Sequence, residues 1–92
     1  MAILSKNNLG HLWAVVKVDP EKSQVTWICA MLRDERQQKG ISQQRLSELS
    51  GLSRTGVRHV ESLETNPTLL SLLKIAKALK VDLSELLKDS QL

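Results

Sequence analysis

Apolar residues recur at three- and four-residue spacing from Asp19 onward, which is the period of a helix with one buried face. The first such segment opens with an aspartate, a proline and a glutamate at 19–21, and it closes with Lys39 and Gly40. We therefore predict a first helix that begins between residues 20 and 27 and ends near residue 39. Its apolar positions are Val25, Ile28 and Leu32.

Two short helices are predicted next, and each has a serine as its N-cap. Ser42 caps the second helix, which would run to about residue 50 and stop at Gly51. Ser53 caps the third helix, from 54 to roughly 63. Two side chains of the second helix are expected to face inward, Leu46 and Leu49.

The last part of the chain predicts two more helices. Asn66-Pro67 forces a turn, because the residue before a proline avoids the helical region. The fourth helix covers 69–80, and Asp82 or Ser84 caps a short fifth helix. We expect the leucines from 69 to 87 to form the core, with three of them also able to form a dimer face: Leu83, Leu86 and Leu87.

The N-terminal stretch has a different composition. Residues 11–18, HLWAVVKV, are rich in β-branched side chains and are predicted to be extended, although one helical face also fits the apolar positions around them. A lone strand is marginally stable, so a strand here should pair with a second chain or pack on the helices. We therefore divide the chain into an N-terminal extension, 1–22, and a helical domain, 23–92.

Composition limits the classes of function. The 92 residues make one domain with a formal net charge of +3, and all five arginines lie between residues 33 and 58. Arginine prefers planar, bidentate partners such as phosphate or guanine. Cys29 is the single cysteine, so no internal disulfide can form. With no secretory signal and no apolar run long enough to span a membrane, we expect a cytoplasmic protein that does not contact a membrane.

The sequence contains little catalytic material. The two histidines, His11 and His59, fall in different segments, and a single cysteine cannot build a metal knuckle. No glycine-rich phosphate loop is present, and no pair of acids lies between apolar runs as a buried catalytic dyad would. We predict a protein that is not an enzyme and has no catalytic residues, metal site or cofactor.

The third helix, in the stretch SRTGVRHVE, carries an unusual density of hydrogen-bonding side chains on one side. At about 100° per residue, four of them share an arc of roughly 140°. They are Arg54, Thr55, Arg58 and His59. Val57 and Val60 lie opposite, and Gly56 lies near the packed side, where a missing side chain allows close backbone approach.

Two short helices joined by Gly-Leu-Ser fit a helix-turn-helix. The segments LRDERQQKGISQQRLSELSGLSRTGVRHVE and NPTLLSLLKIAKALKVDLSELL resemble the phage-repressor/Cro-type (XRE) helix-turn-helix family over residues 27–87. The shared features are the glycine after the first helix, the Ser-Gln opening of the second, the turn and the glutamate that closes the third. The resemblance implies an all-α, five-helix, lambda-repressor-like domain whose third helix enters the major groove of DNA.

The resemblance also assigns roles to individual residues. Gln43, and more weakly Gln44, match phosphate-contacting positions. Arg36 and Glu61 match a pair that ties the first helix to the recognition helix. The positions that would face DNA are Ser53, Arg54, Thr55, Arg58 and His59. The chain departs from the family at Leu63, where glycine is usual, and at Glu64, where a basic residue is common.

These features together predict a sequence-specific, double-stranded DNA-binding transcriptional regulator, acting as a repressor. One recognition helix contacts too few base pairs to find a site, so we expect a homodimer on a pseudo-palindromic operator, with residues 9–18 favoured as the interface over the C-terminal leucines. One alternative is an antitoxin or restriction-modification controller that regulates its own operon. The alternative from another class is a protein–protein interaction module whose leucine-rich end binds a partner such as a toxin or co-regulator.

Overall fold

A computed structural model describes residues 19–91, which form five α-helices. The prediction of an all-α, five-helix domain is confirmed for this part of the chain. The extended segment predicted at 11–18 and the interface predicted at 9–18 lie outside the described residues. The helices are α1 Pro20–Gln38, α2 Gln43–Ser50, α3 Arg54–Glu61, α4 Leu69–Leu79 and α5 Leu83–Asp89.

Every helix begins at a residue whose side chain accepts a hydrogen bond from a backbone N–H of the first turn, which would otherwise have no partner within the helix. Asp19 starts α1, Ser42 starts α2 and Ser53 starts α3. Thr68 starts α4, and Asp82 rather than Ser84 starts α5. The helix starts therefore follow from local chemistry that the sequence displays directly.

The core lies where α1 and α4 pack against the pair formed by α2 and α3. Each fully buried leucine, isoleucine or valine contributes about 1.5–3 kcal/mol relative to an exposed one. The short α2 supplies one such residue, Leu46, which is fully buried. The remaining buried apolar residues are Ile28, Cys29, Leu32, Val57, Val60, Leu72, Ile75, Ala76, Leu79 and Leu83.

Several leucines predicted to be in the core are on the surface. The short α2 turns Leu46 to the core, and Leu49 is 45% exposed. In α4 only the arc that contains Leu72, Ile75 and Leu79 meets other helices, so apolar residues outside that arc face solvent. The exposed fractions are 62% for Leu69, 61% for Leu70, 48% for Leu73 and, in α5, 44% for Leu87.

The third helix ends at Glu61, two residues before its predicted end, because the backbone leaves the helical region. Leu63 has φ 64°, in the left-handed region that favours glycine. Among residues 19–91, Lys80 is the other left-handed residue that is not glycine, with φ 60°. It ends α4, and its N–H donates to the carbonyls of Ala76 and Lys77. The left-handed φ at Leu63 gives a physical reason for the glycine that the helix-turn-helix family, which the sequence resembles, usually has at this position.

Two side-chain contacts join ends of helices that lie 66 and 40 positions apart in the sequence. Gln24 Nε2 donates to Ser90 Oγ at 2.9 Å, which links α1 to the end of α5. Lys39 Nζ donates to the carbonyl of Leu79, which links the ends of α1 and α4. The helix α1 is continuous across residues 22 and 23, and the domain boundary there stays a prediction.

Candidate nucleic-acid interface

The third helix presents one polar face to solvent and buries the other. Val57 is 0% exposed and Val60 is 2% exposed, so these two valines fix the rotation of α3 about its axis. The four side chains on the opposite arc are all exposed: Arg54, Thr55, Arg58 and His59. This face therefore offers two guanidinium groups, a hydroxyl and an imidazole to whatever approaches α3.

The turn before α3 is tight, and two glycines serve it in different ways. Gly51 ends α2 with φ 81°, a conformation that costs other residues about 1–2 kcal/mol. Ser53 caps α3, and its Oγ accepts from the Gly56 N–H at 3.0 Å. A Cβ at position 56 would lie 3.3 Å from that Oγ and 3.6 Å from the Leu52 Cβ. Ser53 is exposed and its hydroxyl hydrogen remains able to donate to a phosphate.

The start of α2 carries two adjacent glutamines, Gln43 and Gln44, whose surroundings differ. Gln44 is exposed, and its Nε2 donates to Glu48 Oε2 at 3.2 Å within the same helix. Gln43 is partly buried, and its Nε2 donates across the fold to Glu61 Oε1 at 2.9 Å. The first N–H groups of α2 have no acceptor within the helix, so this end can also attract an anion.

Glu61 joins α1, α2 and α3 at one point beneath this surface. Arg36 Nε lies 2.7 Å from Glu61 Oε2, and Arg36 Nη2 lies 3.0 Å from Oε1, which makes the pair bidentate. The side chains are only 12% and 5% exposed. Arg36 Nη1 also donates to the Ile41 carbonyl at 2.7 Å, and Arg33 Nη1 donates to the Glu61 carbonyl at 3.2 Å. Within residues 19–91 no buried side-chain nitrogen or oxygen lacks a partner.

The arginines of α2 and α3 differ in whether a carboxylate pairs with them. Arg45 pairs with Glu48 on α2 at 3.1 Å, and hydrogen bonds from Gln44 and Arg45 lower the pKa of the Glu48 carboxyl below its ordinary value. Arg54 and Arg58 take part in none of the salt bridges found among residues 19–91. Two exposed positive charges on α3 are therefore available to a negatively charged partner.

Other kinds of site find little support in the described part of the chain. Cys29 is buried, and burial raises the pKa of its thiol, which disfavours the reactive thiolate. Residues 19–91 contain no group of three or more histidine, cysteine or acidic side chains placed to hold a metal ion. Within the same range no helix has the length and hydrophobicity needed to cross a membrane.

Sequence reasoning placed Gln43 and Glu61 separately and missed the bond between them. They are 18 positions apart in two helices, and no spacing rule brings them together. It also missed the Arg33 contact to the Glu61 carbonyl. The single useful signal was the family resemblance, which pairs Arg36 with Glu61 and so ties α1 to α3.

The comparisons with known proteins agree with this geometry. A family model described as helix-turn-helix matches residues 32–86, which is more than half of the chain. The chain belongs to the XRE-type helix-turn-helix family. The match begins within α1 and includes both α2 and α3, so the face described above lies inside the family domain.

Three similar proteins illustrate the range of this family. The HTH-type transcriptional regulator PuuR of Escherichia coli (strain K12) is 35% identical over 60 residues, 65% of this chain and 32% of PuuR. Control protein C.SmaI of Serratia marcescens is 43% identical over 56 residues, 61% of this chain and 67% of that protein. The crystal structure of the restriction-modification controller protein C.AhdI from Aeromonas hydrophila superimposes with a TM-score of 0.61 and 39% identity, covering 70% of this chain and 97% of that one. The chain thus spans about a third of the length of PuuR and nearly the whole length of C.AhdI.

Proposed function

We propose that the protein is a sequence-specific, double-stranded DNA-binding transcriptional regulator that represses by occupying a pseudo-palindromic operator as a homodimer. The observation that carries the proposal is the polar face of α3. Its valines are buried at 0% and 2% exposure while its two arginines, threonine and histidine all face solvent. A helix with this division can enter a major groove without disturbing its own packing.

Each exposed group has a matching partner on a DNA duplex. Arg54 and Arg58 can donate in pairs to O6 and N7 of guanine, and Thr55 can contact a thymine methyl group or a phosphate. Ser53 and His59 border these residues on the same surface. Gln43 and Gln44, at the start of α2, would contact the phosphate backbone and set the register of α3 without selecting a base.

The proposal includes neither catalysis nor a cofactor. PuuR is named a transcriptional regulator, and C.SmaI and C.AhdI are named control or controller proteins. The exposed groups on α3 are hydrogen-bond donors suited to binding rather than an acid–base pair or a nucleophile with its activating base. A protein that occupies an operator must be present in the same compartment as the DNA, and we propose that this protein is located in the cytoplasm.

A narrower function, a restriction-modification controller that regulates its own operon, is supported by a specific observation. The two similar controller proteins match over most of their own length, 67% for C.SmaI and 97% for C.AhdI, whereas PuuR matches over 32%.

Assembly as a homodimer also has support from surface chemistry. One recognition helix contacts only about four or five base pairs, so pairing two of them on half-sites about 34 Å apart is the usual solution. The exposed Leu69, Leu70 and Leu73 on α4 and Leu87 on α5 provide apolar surface for a partner, either a second copy or a protein co-regulator. Residues 9–18 remain the interface predicted from the sequence.

Selection of bound fragments from random duplex DNA, followed by fluorescence anisotropy at several salt concentrations, tests the proposal. Arg54→Ala should cost about 1–3 kcal/mol of binding free energy and relax preference at one base position. The matched control is Lys88→Ala, which removes one exposed positive charge from α5. An unchanged selected sequence and affinity for Arg54→Ala would remove that residue from base contact. A protein-only interaction module would show no salt-dependent binding to any duplex.

A further inference from the structure

A glutamine amide at the proposed DNA surface is held in one orientation by a carboxylate beneath it. Gln43 Nε2 donates to Glu61 Oε1 at 2.9 Å, and the Glu61 side chain is 5% exposed. An ionised carboxylate can only accept hydrogen bonds. The nitrogen of the Gln43 amide must therefore point inward, which fixes a terminal group that otherwise rotates freely.

Arg36 compensates the charge of Glu61, and Gln43 is not needed for this. Arg36 donates from Nε and Nη2 to the two oxygens of Glu61, at 2.7 Å and 3.0 Å. The pair carries no net charge, so it does not repel a phosphate placed against Gln43. The amide nitrogen has two hydrogens, and Glu61 takes one of them. The second N–H remains available for a phosphate oxygen.

We propose that Glu61 is a positioning residue that pre-organises Gln43 to clamp a DNA phosphate, an inference that rests on the proposed function. A free glutamine side chain loses rotamer freedom when it binds, at a cost on the order of tenfold in affinity. Because Glu61 and Arg36 already order Gln43 in the folded protein, this loss occurs on folding and not on DNA binding. Gln43 would contact the phosphate backbone of the DNA and no base, so the gain in affinity from ordering Gln43 should be the same for every DNA sequence.

Gln44 provides a matched control in the next position. Its Nε2 also donates to a glutamate, Glu48, but at 3.2 Å between exposed side chains of one helix. Solvent competes for that bond, since the Glu48 side chain is 51% exposed whereas that of Glu61 is 5% exposed. Gln44 should therefore remain mobile while Gln43 is ordered, although the two residues have the same chemistry and adjacent positions.

The first experiment observes the free full-length chain by ¹⁵N relaxation of the side-chain amides. We expect the Gln43 NH₂ group, assigned through its loss in Gln43→Met, to have an order parameter of about 0.85, as rigid backbone does. The order parameter of the Gln44 NH₂ group should be below about 0.6. Equal mobility of the two amides would overturn the inference. This measurement does not depend on the folding of any Glu61 variant.

The second experiment is a double-mutant cycle on DNA affinity, with Glu61→Gln and Gln43→Met. An amide at position 61 presents an N–H in place of one oxygen, so it cannot satisfy both Arg36 and Gln43. We expect each single change to weaken binding about three- to tenfold for all duplexes, with no further loss when they are combined. The same cycle with Gln44→Met should be additive. Additive losses for Gln43 would overturn the inference while leaving the proposed function intact, whereas a wild-type chain that binds no duplex would overturn the proposed function.

Discussion

Removal of Arg36 is the perturbation that most directly tests how the DNA-facing helix is held. In Arg36→Ala, the Glu61 carboxylate would lose both charge-assisted bonds from the guanidinium and keep a single side-chain donor, Gln43. The Glu61 side chain is 5% exposed, so water replaces those donors poorly. Breaking a buried pair by removing one partner costs about 3–5 kcal/mol, because it leaves an uncompensated buried charge.

The expected loss is large compared with the stability of a small domain, which is about 5–15 kcal/mol in total. Urea unfolding followed by far-UV circular dichroism should show a urea midpoint lowered by about a fifth or more for Arg36→Ala. The control is Arg45→Ala, whose pair with Glu48 at 3.1 Å has side chains 60% and 51% exposed. That pair is screened by solvent, and its removal should leave the midpoint nearly unchanged.

A second comparison separates the pair from its two members. If the charges are coupled, replacing both Arg36 and Glu61 by methionine should lower the unfolding free energy by less than the sum of the losses in the two single methionine variants. An unfolding free energy for Arg36→Ala within about 1 kcal/mol of the wild-type value would refute the reasoning. The carboxylate would then have to be as well solvated as an ordinary surface group.

Three further outcomes follow from features already described. Sedimentation should show a full-length dimer at tens of micromolar, with a chain beginning at Asp19 becoming monomeric if residues 9–18 are the interface and staying dimeric if the exposed leucines are. Lys80→Gly should raise the unfolding free energy by about 0.5–1 kcal/mol, because relief of left-handed strain exceeds the entropy that glycine adds to the unfolded chain; Leu63→Gly should gain less, since Leu63 also packs against the core. Hydrogen bonds from Ser84 lower the pKa of the Asp82 carboxyl in the folded protein, so its contribution to stability is present above its unfolded pKa and is lost as pH falls through the lowered value. Asp82→Asn should therefore flatten the acid side of the curve of Tm against pH, and an unchanged curve would contradict this.

The sequence predicts helix starts well and burial less well, for different physical reasons. A capping serine or aspartate acts on N–H groups two or three residues away, so Asp19, Ser42 and Ser53 could be recognised from neighbours alone. Burial depends on whether another helix lies opposite. Leu49 and Leu69 have helical spacing to true core residues, but no element covers them within the described chain.

The candidate site divides in the same way. The separation of Val57 and Val60 from the polar arc of α3 is a property of one helix, and its period is visible in the sequence. The bond from Gln43 to Glu61 depends on the packing of α1, α2 and α3 together, so it required the structure. The left-handed backbone at Leu63 was indicated only by the glycine that the family usually has at that position.

The contact between Gln24 and Ser90 has a consequence for how this domain can be built into larger proteins. It brings the start of α1 beside the end of α5, so that Pro20 and Gln91 line the same surface cleft of about 380 Å³. A polypeptide attached before α1 and one attached after α5 would therefore emerge from a single corner of the domain. Whatever is tethered there, at either end, starts from the same point relative to α3, and the domain behaves as a module with one attachment site and not two.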